Sequence, residues 1–120
     1  MIFRGIKRTF SLLGEDQYNT IGEFWDEMSV VYGLENLRGL GYNWHGTTME
    51  YAIGLKNGDI KDYNFSIDLP DSGWTVAEGE TDNLKQMYDE IYKSGALDYE
   101  IESFSESGKC RIEYYRKNSN

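Results

Sequence analysis

The densest gathering of residues able to recognise or transform a small molecule lies between positions 40 and 55. Tyr42, Trp44 and Tyr51 stand there with the only histidine of the chain, His45, one acid, Glu50, and glycines at 41, 46 and 54. Tyr42 and Trp44 alternate, and side chains two apart on a regular strand project from one face. Met49, Tyr51 and Ile53 repeat the pattern on the next strand, with His45-Gly46-Thr47-Thr48 as the turn between them. Two adjacent strands carrying large aromatic rings make either a core or the wall of a pocket. On a regular strand Glu50 faces away from Tyr51, and His45, the one candidate imidazole base, sits in the turn. A single histidine without a cysteine partner or clustered acids offers no triad and no metal site. No cofactor or metal is therefore expected, and no residue is singled out as catalytic.

The elements that position these residues must come from 120 residues, the length of one domain, taken as 1–120 with a polar tail at about 117–120. A hydrophobic fraction of 39% is enough for a real core, and an aromatic fraction of 15% is high. Twelve basic against 21 acidic side chains give a net charge of −9. That charge repels phosphate backbones, which excludes direct nucleic-acid binding, and favours cationic ligands or basic protein surfaces. The lone Cys110 forms no internal disulfide and reads as a small buried apolar residue. The chain starts without a long apolar run, so neither a signal peptide nor a membrane span is expected, and the expected location is cytoplasmic.

Along the chain, residues 7–14 read as a strand with Phe10 and Leu12 on one face, and residues 15–19 as a polar loop. Thr20 and Glu23 fit a helix capping box. Ile21, Phe24, Trp25, Met28, Val31 and Tyr32 then recur at helical spacing up to Gly33. This stripe is core, with Trp25 or Tyr32 able to line a cavity from its edge. After the aromatic strands, Asn57-Gly58 signals a tight hairpin, and residues 60–69 alternate as a half-buried strand that Pro70 ends. Residues 74–77 form a short strand. A second helix starts near Asp82 or Asn83 and carries Leu84, Met87, Tyr88, Ile91 and Tyr92 inward. Residues 99–104 and 109–116 form a C-terminal hairpin around a turn at 105–108. The order strand, helix, strands is thus run through twice. It predicts an α+β fold of two βαββ-like halves: an antiparallel sheet with both helices on one side and a cleft between the halves.

The residues in this frame resemble a known family. Phe24-Trp25 on the first helix, Tyr32-Gly33 at its end, Met49-Glu50-Tyr51-Ala52-Ile53-Gly54, Leu69-Pro70, Gly73-Trp74, the helix from Tyr88 to Tyr92, and Tyr99-Glu100 resemble the GyrI-like small-molecule-binding domain. This is the effector-binding domain of bacterial multidrug-responsive transcription activators, here in a stand-alone form without a helix-turn-helix segment. The resemblance spans roughly residues 7–116 and rests on the order and spacing of the pieces. It implies two SH2-like βαββ repeats around a pseudo-two-fold axis and a central cleft lined by aromatics. It also implies a buried cleft glutamate that meets a cationic aromatic ligand. The candidate ligand contacts are Trp25, Tyr32, Tyr42, Trp44, Tyr51, Trp74 and Tyr88.

Two segments are similar to the family's Glu-x-Tyr stretch, Glu102-Ser103-Phe104 and Glu113-Tyr114-Tyr115, so the cleft glutamate is Glu102 or Glu113. Strand parity leaves both open. Glu102 shares a face with Glu100 and Phe104, and Glu113 shares one with Arg111 and Tyr115. A carboxylate walled by aromatic rings binds an organic cation by charge and cation–π attraction together. The leading function is therefore binding of an aromatic, cationic small molecule. The alternatives that the resemblance implies are a hydrolase of a strained electrophile, with the cleft glutamate as general base, and a protein-interaction module such as a gyrase inhibitor.

Overall fold

The computed structural model describes residues 1–13 and 16–116, with backbone alone for 16–19. The expected polar tail at 117–120, and positions 14 and 15 between the first strand and helix, lie outside the described residues. The elements run β1 (Ile2–Ser11), α1 (Asp16–Tyr32), a 3-10 turn (Leu34–Asn36), β2 (Leu37–His45), β3 (Thr48–Leu55) and β4 (Phe65–Asp68). They continue with β5 (Thr75–Glu80), a second 3-10 turn (Thr81–Asn83), α2 (Leu84–Tyr92), β6 (Tyr99–Phe104) and β7 (Lys109–Tyr115).

One seven-stranded sheet holds all the strands in the order β4-β1-β3-β2-β6-β7-β5, and every pairing is antiparallel. The first half contributes β1-β3-β2 and the second β5-β7-β6, each read from the outside inward. The halves meet where β2 pairs with β6, so two βαββ units surround that seam as expected. β4 is an addition on the outer edge of β1.

Hydrophobic periodicity explains where the helices lie. Phe24, Trp25 and Met28 of α1 are buried against Met49, Tyr51 and Ile53 of β3 and Phe10 of β1. Ile91 of α2 is buried with Ile112 of β7, and Leu84, Met87 and Tyr88 pack beside it. Tyr51 pairs with Gly41, Gly41 with Glu100, and Glu102 with Ile112. Directly paired residues share a face, so both helices cover the same side of the sheet. Cys110 is buried on that side, with its Sγ 3.6 Å from Sδ of Met87. The other face is closed by Phe3, Leu40, Ala52, Leu69 and Ile101.

Several boundaries differ from the sequence expectation. β1 begins at Ile2 because its first four residues pair with β4, as Ile6–Ser11 do with β3: Phe3 is fully buried, and a Cβ on Gly5 would come within 2.3 Å of the Ile53 carbonyl oxygen. α1 begins at Asp16, so the backbone at 16–19 is helix rather than loop and Thr20 stands inside the helix rather than at its cap. Val31 is 69% exposed, outside the buried stripe. Asn57-Gly58 bends the chain, with Gly58 at φ 79°, yet closes no hairpin. β3 and β4 lie on opposite sides of β1, and the link between them must cross that strand. β4 itself shrinks to Phe65–Asp68.

Candidate functional site

A cavity of about 910 Å³ opens between the two helices, above the seam of the sheet. Its apolar wall comes from Leu12, Ile21, Trp44, Met49, Leu84 and Leu97, and its floor from Tyr51, Glu100 and Glu102, with Tyr88 and Tyr92 reaching in from α2. The two glutamates are the buried charged residues of the described chain, each 7% exposed.

Their placement follows from the pairing of β2 with β6. Gly39 stands opposite Glu102 and Gly41 opposite Glu100. A Cβ at Gly41 would approach Glu100 Oε1 to 2.9 Å, and one at Gly39 would meet the Tyr51 hydroxyl oxygen at 2.1 Å. Two glycines on one strand thus make the room that two acids and a tyrosine occupy. Tyr51 and Tyr88 each donate a hydrogen bond to Glu102, to Oε1 and Oε2 respectively. The Trp25 indole N–H donates to the Tyr51 oxygen at 2.8 Å, fixing that ring from behind. Tyr92 donates to Glu100 Oε2 at 2.8 Å. Neither glutamate is ion-paired with a basic side chain among the described residues.

Burial raises the Glu102 carboxyl above its ordinary range, while the hydrogen bonds from Tyr51 and Tyr88 pull it back. At Glu100 burial is joined by repulsion from Glu102, opposed by the Tyr92 hydrogen bond, and its pKa is pushed up to about 8. Glu102 therefore ionises first, and Glu100 keeps its proton at neutral pH. Burial, followed by the Glu102 charge, holds Tyr51 and Tyr88 well above the usual phenol range. Both stay hydroxyl donors.

Of the residues singled out in the sequence, Trp44, Tyr51, Tyr88 and Glu102 come together in the cavity lining. Trp25 lies one layer behind, buried edge-on against Phe104 with ring centroids 4.9 Å apart. Tyr32 packs at the margin of the α1 cluster, away from the lining.

Tyr42, Trp74 and Glu113 lie on the opposite face. Tyr42 stacks on Phe65 at 5.5 Å, and Trp74 packs against Tyr99 and Tyr115. Tyr42 also borders a smaller hollow of about 350 Å³ on that face. Glu113 pairs in register with Ile101 and sits 3.4 Å from the Arg111 guanidinium. The shared face expected for Tyr42 and Trp44 is broken by a register shift between Tyr42 and His45. Asn43 there takes φ 54°, and the extra residue turns Trp44 back to the helix side. Glu50 faces away from Tyr51, as parity requires, and accepts hydrogen bonds from the Thr9 hydroxyl.

Sequence reasoning passed over Glu100, Tyr92, Met49 and Leu97 as lining residues. The signal for Glu100 was present: two glutamates at alternate positions on a strand share a face, and Glu102 alone was carried forward. His45 is exposed at the end of β2, and no group of three His, Cys, Asp or Glu side chains suited to a metal occurs among the described residues. No helix among the described residues is long and apolar enough to cross a membrane.

With this geometry in hand, comparison with solved structures finds a similar fold in SAV2435, a protein solved bound to tetraphenylphosphonium. The TM-score is 0.69 at 19% sequence identity, over 95% of this chain and 87% of that one. No family model matches the chain, and no curated protein matches it in sequence. The likeness establishes the α+β fold of a seven-stranded antiparallel sheet with two helices.

Proposed function

We propose that this chain is a GyrI-like small-molecule-binding protein that takes an aromatic organic cation into the cavity between α1 and α2. The observation that carries the reading is Glu102: a buried carboxylate, held by two tyrosine hydroxyls, facing a cavity of about 910 Å³ walled by aromatic and aliphatic side chains. A buried anion without a counter-charge is costly. An organic cation supplies the charge, Trp44, Tyr51 and Tyr88 add their ring faces, and the apolar wall accepts the rest of the ligand. That a protein of similar fold was solved with tetraphenylphosphonium supports the ligand class. Trp25 serves as a positioning residue through Tyr51. Tyr32, Tyr42, Trp74 and Glu113 have no part in this reading, because none of them lines the cavity.

The test is a titration with tetraphenylphosphonium followed by tryptophan fluorescence, since Trp44 lines the cavity. Saturable quenching is expected in the wild type. Glu102→Gln should weaken binding at least tenfold. Absence of saturable binding by the folded protein, or an undiminished affinity in Glu102→Gln, refutes the proposal.

A second reading rests on the same three side chains. A carboxylate raised above its ordinary range, next to two hydroxyl donors, has the makings of a general base for adding water to a strained electrophile. Turnover of such a compound that disappears in Glu102→Gln would make the protein a hydrolase; no turnover over the uncatalysed rate removes this reading.

A further inference from the structure

A single organic cation needs one counter-charge, and this cavity has a second carboxyl built into it with equal care. Glu100 lies two residues from Glu102 on β6, on the same face, about 7 Å along the strand. It has its own glycine opposite, Gly41, its own tyrosine donor, Tyr92, and the same 7% exposure. It belongs to the same cavity lining, in which Asn43, Ala96 and Asp98 also take part. A carboxyl in this position does not serve the fold, since a glutamine would keep the Tyr92 hydrogen bond without the charge.

We infer that the cavity is built for ligands with two cationic centres about 7 Å apart on an aromatic frame, one centre held by Glu102 and the other by Glu100. This rests on the cation-binding reading above and narrows its ligand class to bis-cations such as aromatic bis-amidines.

The electrostatics fit such a ligand. Glu100 faces Glu102 on its own strand, Tyr88 and Tyr92 from α2, and Tyr51 from β3, while Gly41 and Tyr114 are its partners on β2 and β7. Lys85, Asp82 and Asp98 are the other charged residues of the lining. With Glu102 ionised and Glu100 protonated, the pair carries one negative charge, which matches a monocation. A second cationic centre beside Glu100 favours its ionised form, so the carboxyl proton leaves to solvent as that centre arrives. The charges on both sides then match again: two carboxylates against two cations. Binding of a bis-cation is thereby coupled to release of close to one proton below the Glu100 pKa of about 8, and binding of a monocation to much less.

The experiment is calorimetry of an aromatic bis-amidine and of the mono-amidine on the same frame. It is run at pH 6.5 in two buffers of different ionisation enthalpy, with wild type and Glu100→Gln. The wild type should prefer the bis-amidine at least tenfold and release close to one proton with it. Glu100→Gln should lose that preference and the proton release together. Equal affinity of the two amidines for the wild type, or a preference that survives in Glu100→Gln, overturns the inference and leaves the cation site standing. Failure of both amidines to bind overturns the cation site and this inference with it.

Discussion

Glu100→Gln should make the protein more stable, and by an amount that grows with pH. The wild-type carboxyl moves from an ordinary 4.5 in the unfolded chain to about 8 when buried beside Glu102. The folded state therefore holds a proton that the unfolded chain has already given up, throughout the interval between those values. Stability from this group is fully present below the unfolded pKa and is lost as pH rises through the folded one, at ~1.4 kcal/mol per pH unit. An interval of about 3.5 units sets a ceiling of ~5 kcal/mol, and the relaxation of a real interior, with its effective dielectric above that of dry protein, brings the expectation to about 2–4 kcal/mol. Glutamine has the same shape, its amide oxygen accepts the Tyr92 hydrogen bond, and it has no proton to lose. Urea unfolding of both proteins, followed by fluorescence at constant ionic strength from pH 5 to 9, measures the difference. The curves should nearly meet at pH 5 and separate up to about pH 8.5, with the m-value unchanged. Both should fall with pH, because Glu102 is raised as well, but the wild type should fall more steeply. Parallel curves would refute the buried, proton-holding state of Glu100.

Two further substitutions probe how the floor is assembled. Gly39→Ala puts a methyl group 2.1 Å from the Tyr51 oxygen and 2.8 Å from a Trp25 ring carbon, both deep in the core. The expected cost is ~2–3 kcal/mol in urea unfolding, together with weaker tetraphenylphosphonium binding as Tyr51 is pushed off Glu102. Tyr51→Phe removes one donor from Glu102 and leaves the Trp25 N–H without its acceptor. It should cost about 1–3 kcal/mol, and in a pH series of tetraphenylphosphonium binding it should move the onset of binding to higher pH, since the Tyr51 hydrogen bond holds the Glu102 carboxyl down.

Much of the frame was legible before the structure, because it is written in periodicity. The stripes Phe24-Trp25-Met28 and Leu84-Met87-Tyr88-Ile91, the C-terminal hairpin and the doubled strand–helix–strands order all survive in the fold. What was not legible depends on partners distant in sequence. A one-residue bulge at Asn43 has no apolar signature, yet it reverses the face of Trp44 and separates it from Tyr42. The choice between Glu102 and Glu113 is made by cross-strand register: β6 lies against the glycines of β2, whereas Glu113 falls in register with Ile101, whose face is the far one. Asn57-Gly58 is a sound turn signal, but the identity of the strand that follows it is set by sheet order, which local sequence does not encode. Glu100 was within reach from alternation alone.

The two halves of the sheet are sewn together by four residue pairs, from Gly39 with Glu102 to Tyr42 with Tyr99. On the far face those pairs interlock: Leu40 lies against Ile101, and Tyr42 against Tyr99 at 6.4 Å between rings. On the helix face they are glycine against glutamate, and the apolar contact across the join lies outside those four pairs, where Phe104 of β6 meets Trp25 of α1 at 4.9 Å between rings. The sheet is thus bound like a book, with its spine on the far face and its leaves carrying α1 on one side and α2 on the other. On the inner side the leaves are tied by that ring pair and by Glu102, which takes one hydrogen bond from Tyr51 in the first half and one from Tyr88 in the second. The angle at which the book stands open is therefore set at the inner margin of the spine by one carboxyl, and removing the Tyr51 or Tyr88 hydroxyl unties one leaf from it.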